Sequence, residues 1–193
     1  MSGNSIKLMT DALSVRLEAA LTRSGIPGGV FVGPLDDADA SGAALILFLY
    51  RLVPNPSLRN RDHVIVTATP PPITYRNSLP LDLYYLVTCG SVSGPSEAPL
   101  LTALGFAIQE LQINPELTGP TLNHQVAHIS LAPLTTEESS RIWALFPNAN
   151  YRTSVAYLVT PVWIDPVDPA LPAPPVVEDQ LLAGLLPNPG IAL

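Results

Sequence analysis

The chain has 193 residues, of which 47% are hydrophobic and only 13% charged. That is about half the roughly 25% charged fraction of an ordinary soluble domain, so surface hidden against partners is expected. The net charge of −7 comes from 16 acids and 9 bases, with Lys7 the sole lysine, which leaves no basic stripe for a phosphate backbone and excludes nucleic acid as the expected partner.

The single cysteine, Cys89, allows no intrachain disulfide. Neither an N-terminal apolar core of a signal peptide nor an apolar run of about 18 residues is present. A protein made and kept in the cytosol, without direct membrane insertion, is expected. Cys89 closes an apolar run and reads as a small buried hydrophobe rather than a reactive thiol.

From Ser5 to Ser24 the apolar positions Ile6, Met9, Leu13, Leu17, Ala20 and Leu21 recur at spacings of three and four, which predicts a helix with one buried face, ended by Gly25, Pro27, Gly28 and Gly29. A short strand at Val30–Val32 follows. Residues 36–42, rich in acids and small side chains, read as a mobile turn. The almost wholly apolar stretch 44–53 predicts a central strand buried on both faces.

Six prolines lie between Pro54 and Pro80, counting both ends, so neither a long helix nor an inner strand is expected there, only a short edge strand within 63–69. Residues 81–88, reading LDLYYLVT, predict a second strand. Residues 96–111 predict a second amphipathic helix, with Leu100, Leu104, Ala107, Ile108 and Leu111 on its buried side and Ser96 and Glu97 at its start.

Residues 125–131 alternate Val126, His128 and Ser130 against Ala127, Ile129 and Leu131, the pattern of a half-buried strand. Thr135 to Glu138 has the spacing of a capping box, opening a short helix that carries Ile142, Trp143 and Phe146. Residues 155–164 predict the last strand.

Beyond Asp165 the chain changes character. Residues 166–193 contain seven prolines, no base, and the apolar cluster Val176, Val177, Leu181, Leu182, Leu185 and Leu186. Two units are therefore expected: an α+β domain over 1–165, built on a single mixed β-sheet flanked by helices, and a proline-rich acidic C-terminal arm over 166–193, with a turn of helix at 179–186. The six apolar arm residues are the predicted interface, because a lone domain has no reason to display them.

No pattern in the sequence points to chemistry. His124 and His128 have the spacing of helical zinc ligands, but in a strand the two rings stand about 13 Å apart, and no cysteine or acid cluster completes a set with them or with His63. Gly25, Gly28, Gly29 and Gly33 lie between a helix and a strand, the reverse of the order a phosphate loop requires. Asp36, Asp37 and Asp39 lack the rest of a calcium loop. Trp143, Trp163, Tyr84, Tyr85, Tyr151 and Tyr157 fall in apolar periodic segments and read as core rather than as a stacking platform. No catalytic, cofactor or metal residue is predicted, and no enzyme.

Four pieces carry a resemblance: Leu58-Arg59-Asn60, the strand from Leu79 to Thr88, the helix from Thr135 to Trp143, and the run YRTSVAYLVTPVWID from Tyr151 to Asp165. In this order and spacing they resemble the N-terminal domain of the cap, or tail-terminator, proteins of antifeeding-prophage-type contractile injection systems. The resemblance covers residues 6–165. It implies a phage tail-terminator-like fold and a six-fold homo-oligomeric ring. Such a ring closes the end of the inner tube and the sheath of a phage-tail-like particle that is assembled in the cytoplasm and can be released. The family offers no catalytic residues to carry over, and the arm has no counterpart in the resemblance. Two other readings stay open from the residues themselves: another minor tail or baseplate component of such a particle, and a small α/β enzyme or ligand-binding module.

Overall fold

The computed structural model describes residues 2–66, 72–91 and 97–170. Helix α1 (Ser5–Ser24) buries Met9, Leu13, Leu17, Ala20 and Leu21, the face its spacing predicts, and leaves Ile6 partly covered. It stops at Gly25, whose φ of 68° places it in the left-handed region while its N–H donates to the Leu21 carbonyl. A side chain there would meet no neighbour but would strain the backbone, which is why glycine ends the helix.

The main sheet has six strands: β1 (Val30–Val32), β2 (Leu45–Pro54), β5 (Leu79–Cys89), β6 (Glu116–Leu117), β7 (Ala127–Leu131) and β8 (Ser154–Ile164). Their order across the sheet is β1-β2-β5-β8-β7-β6. The β1–β2 pairing is parallel and the others antiparallel, so the sheet is mixed. Its centre is β5 against β8, with Leu83 opposite Val159, Tyr85 opposite Tyr157 and Val87 opposite Val155.

One face of the sheet is closed by α1 and α2 (Ala98–Ile113). Leu13, Leu17, Leu104 and Leu111 pack there on Leu47, Leu83, Tyr85 and Val159. Alternation along each strand sends the intervening side chains to the opposite face. There Ile46, Leu86 and Ala156 meet Leu35, Ala40, Trp143 and Phe146, around α3 (Thr136–Trp143). Thr135 accepts from the Glu138 amide while the Glu138 carboxylate accepts from the Thr135 amide, so the predicted capping box is formed. Cys89 is buried, and burial pushes its thiol pKa up, in keeping with an inert hydrophobe.

Several expectations are revised. The turn expected at 36–42 takes a 3-10 form over residues 38–40, with Asp37 accepting from the Asp39 amide and Ala40 buried. In β2 both faces are buried only over Leu45, Ile46 and Leu47; Arg51 and Leu52 are exposed, because neither helix layer extends over that end. The strand expected within 63–69 is β3 (His63–Ile65). It pairs with β4 (Ile73–Tyr75) in a separate two-stranded sheet, while residues 67–69 lie outside the described ones.

On α2, Ile108 is exposed and the buried face instead takes Ala103 and Glu110. Glu110 tolerates burial because Arg23 and the Asn114 amide both bond its carboxylate. Glu97 makes no side-chain cap bond, and Ser96 lies outside the described residues. Strand β7 starts two residues later than expected, and Leu131 is exposed. Of the predicted arm, residues 171–193, with Val176, Val177, Leu181, Leu182, Leu185 and Leu186, lie outside the described residues.

Leu47 and Leu83 are fully buried at the centre of the larger cluster. Truncating either to alanine is expected to lower unfolding stability in urea by about 2–5 kcal/mol. The same change at the exposed Leu145 should stay within about 0.5 kcal/mol.

Candidate functional site

Prolines keep the chain after β2 out of the main sheet, and its return forms the β3–β4 hairpin over the end of β8. A cluster that periodicity does not reveal holds it there. His63 Nδ1 lies 2.8 Å from Asp165 Oδ1, and the Ser78 hydroxyl donates to the same oxygen at 2.8 Å. The His63 ring stacks on Trp163 at 4.7 Å with 4° between planes, and on Tyr75 at 6.3 Å.

Serine, histidine and aspartate are the residue types of a hydrolytic triad, but the connectivity differs. The serine bonds the carboxylate and not the imidazole, so the serine–histidine contact that a triad uses to take the proton is not made. His63 and Asp165 are moreover almost wholly buried. The cluster is a clamp that ties hairpin to sheet.

Beside it, buried Gln125 donates to the Trp163 carbonyl at 2.9 Å and to Ser5 Oγ at 3.1 Å, and accepts from the Trp163 amide at 3.0 Å. That satisfies the backbone at the end of β8, beyond the register of β7. Asn55 donates to Asp82 at 2.9 Å and to Thr160 at 3.3 Å, and Thr160 donates to Asp82, joining three strands or their ends on one face.

The other candidates disperse. His124 precedes β7 with a φ of 59°, whereas His128 stands on β7, over half exposed, 3.6 Å from Glu116. Among the described residues no three His, Cys, Asp or Glu side chains are grouped to hold a metal. The phenols of Tyr85 and Tyr157 are pushed up to about 12 by burial, with Tyr85 sharing a 2.7 Å bond with Thr10.

Hollows mark the surface formed by the described residues. One, of about 680 Å³, runs beside the start of α3 past Pro133, Thr136, Ser140 and Tyr151, and offers no acid, imidazole or thiol. The other, of about 500 Å³, lies between the hairpin and the start of α1, against Ile73, Tyr75, His124 and Val167.

The family model described as the Pvc16 N-terminal domain matches residues 8–178. The chain belongs to that family. The fold agrees with two cryo-EM structures. One is the sheath/tube terminator of the PVC extracellular contractile injection system in its extended state, with a TM-score of 0.60 at 19% identity over 94% of this chain and 65% of that one. The other is the anti-feeding prophage cap, a tube-terminating cap, with a TM-score of 0.61 at 19% identity over 89% of this chain and 59% of that one. The chain thus spans less than two thirds of either relative's length. A search of curated proteins gives no match.

In this Pvc16-type domain large apolar side chains lie open to solvent in places. Val64, Val66 and Val167 are exposed around the hairpin, at 50%, 85% and 91%, and Leu101 and Ile113 on α2 are open to solvent as well. The chain that leaves β8 runs along the hairpin, with the Ala170 amide donating to the Thr74 carbonyl at 2.7 Å. The first residues after Asp165 are therefore laid on their own subunit. No described helix is long and apolar enough to cross a membrane.

Replacing Asp165 by alanine leaves His63 and Ser78 without their buried acceptor, at a cost of about 1–3 kcal/mol. The change is expected to speed hydrogen exchange at the amides of residues 63–65 and 73–75 while β5 and β8 stay protected. Uniform loss of protection across both sheets would mean the cluster is part of the core and not a local clamp.

Proposed function

We propose that this chain is a structural cap, a tail-terminator subunit that closes the end of the inner tube and the sheath of a contractile, phage-tail-like injection system. The observation that carries this reading is the fold: 94% of the chain superposes on a protein described as a sheath/tube terminator. The chain works as a closed homo-oligomer, a ring of six, assembled in the cytoplasm. Its partners are its own copies and the last layers of tube and sheath protein.

Physical features support this reading. A ring subunit covers two lateral faces and one stacking face, which suits a chain with 13% charged residues and exposed Val64, Val66, Leu101 and Ile113. Its role is to bind and to stop growth, and the buried Ser78–Asp165–His63 cluster serves shape rather than reaction. The C-terminal arm gives the ring avidity, with Val176, Val177, Leu181, Leu182, Leu185 and Leu186 docking on a neighbour.

Particles assembled without this chain are expected to show tubes and sheaths of unregulated length, by electron microscopy. A chain lacking residues 171–193 should melt normally, since Ala170 and the clamp remain, yet leave particles uncapped. Particles of normal, uniform length in the absence of the whole chain would overturn the cap reading.

A further inference from the structure

Strand β5, with 11 residues, spans about 33 Å and separates two surfaces of opposite charge. Just past its last residue, the Ser91 amide donates to the Ala43 carbonyl and the Ser91 hydroxyl to the Ala40 carbonyl, which fixes the turn at 36–41 to that end. Residues 24–50 contain Asp36, Asp37 and Asp39 and no base. Asp37 and Asp39 are exposed and Asp36 is half-buried, and none of the three forms an ion pair among the described residues. Leu145, exposed as well, lies beside this turn, because the adjoining Phe146 packs in one cluster with Leu35 and Ala40.

The first residues of β5 follow directly on the β3–β4 hairpin. Residues 55–78 carry Arg59, Arg61 and Arg76 against a single exposed acid, Asp62. All three arginines are exposed, and among the described residues no carboxylate lies within ion-pair distance of any of them, that of exposed Asp168 included. The other acids at this end are engaged, Asp165 by His63 and Ser78 and Asp82 by Asn55 and Thr160. Since His63 and Ile65 are buried, alternation turns Val64 and Val66 outward among the arginines.

We propose that this arginine- and valine-bearing face of the hairpin receives the acidic turn of a second copy of the chain, head to tail. Arg59, Arg61 and Arg76 are set against Asp36, Asp37 and Asp39, and the two valines against Leu145. The proposal deepens the ring reading above and rests on it. Charge chooses the occupant. Each surface holds three charges of one sign without an ion-pair partner, and each is the complement of the other. At opposite ends of β5 the two do not meet within one subunit. A contact between different faces of identical copies is the kind that repeats around an axis and closes a ring. The valines between the guanidiniums, and a net charge of −7, favour a protein partner over a phosphate polymer.

The test compares full-length chains by sedimentation at low salt. One variant carries Arg59→Glu with Arg61→Glu, and the other Asp36→Arg with Asp39→Arg, which leaves the Asp37 cap of the turn in place. Each alone is expected to weaken self-association about tenfold or more. Mixing the two should restore it, and so should all four changes in one chain, where the reversals cancel and the net charge stays at −7. Variants that associate as the wild type does, a mixture or fourfold variant that stays apart, or a wild type that is monomeric throughout overturns the assignment. A wild-type ring indifferent to either pair of changes removes this contact and keeps the cap reading. Rescue by the charge swap in a chain that never joins particles keeps the contact and removes the cap reading.

Discussion

The structure depends on the pairing of β5 with β8. These are the two longest strands, with 11 residues each, and they occupy the middle of the sheet. Their register puts Leu83, Tyr85 and Val87 on the same face as Tyr157 and Val159, the surface on which α1 and α2 close. The intervening Leu86 and Ala156 build the smaller cluster beneath α3. A slip of one residue would exchange the two faces and leave both helix layers without an apolar floor. Strands β2 and β7 then attach to the outer edges, and the end of β8 holds the clamp and Gln125.

What was legible in the sequence follows from length. Helix α1 runs through several periods of its pattern, so periodicity alone fixes its buried face, and β5 and β8 are long enough apolar runs to be recognised as strands. The capping box at Thr135 and Glu138 is a local rule and was equally legible. Strands β4 and β6, with three and two residues, are too short to show alternation and exist because a neighbour is there to pair with them. Ile108 has the right spacing for the buried face of α2, but that face is turned away from it toward Ala103 and Glu110, and Glu110 needs Arg23 from another helix. No local pattern announces a partner 87 positions away.

The clamp was missed for the same reason. His63 and Asp165 are separated by 102 residues, one in a proline-broken stretch and the other just past the end of β8. The proximity of a histidine to the first break in periodicity was the only signal available. Its consequence is mechanical. By fixing the hairpin on Trp163, the clamp fixes the line along which the chain leaves the domain through Pro166 to Ala170.

The proposed cap requires a definite place in a particle. The direct measurement is electron microscopy of assembled particles labelled with gold-conjugated antibody against this chain. Gold at one end only, where tube and sheath stop opposite the baseplate, is the result a cap predicts. Gold along the sheath, at the baseplate end, or absent from particles altogether would contradict it.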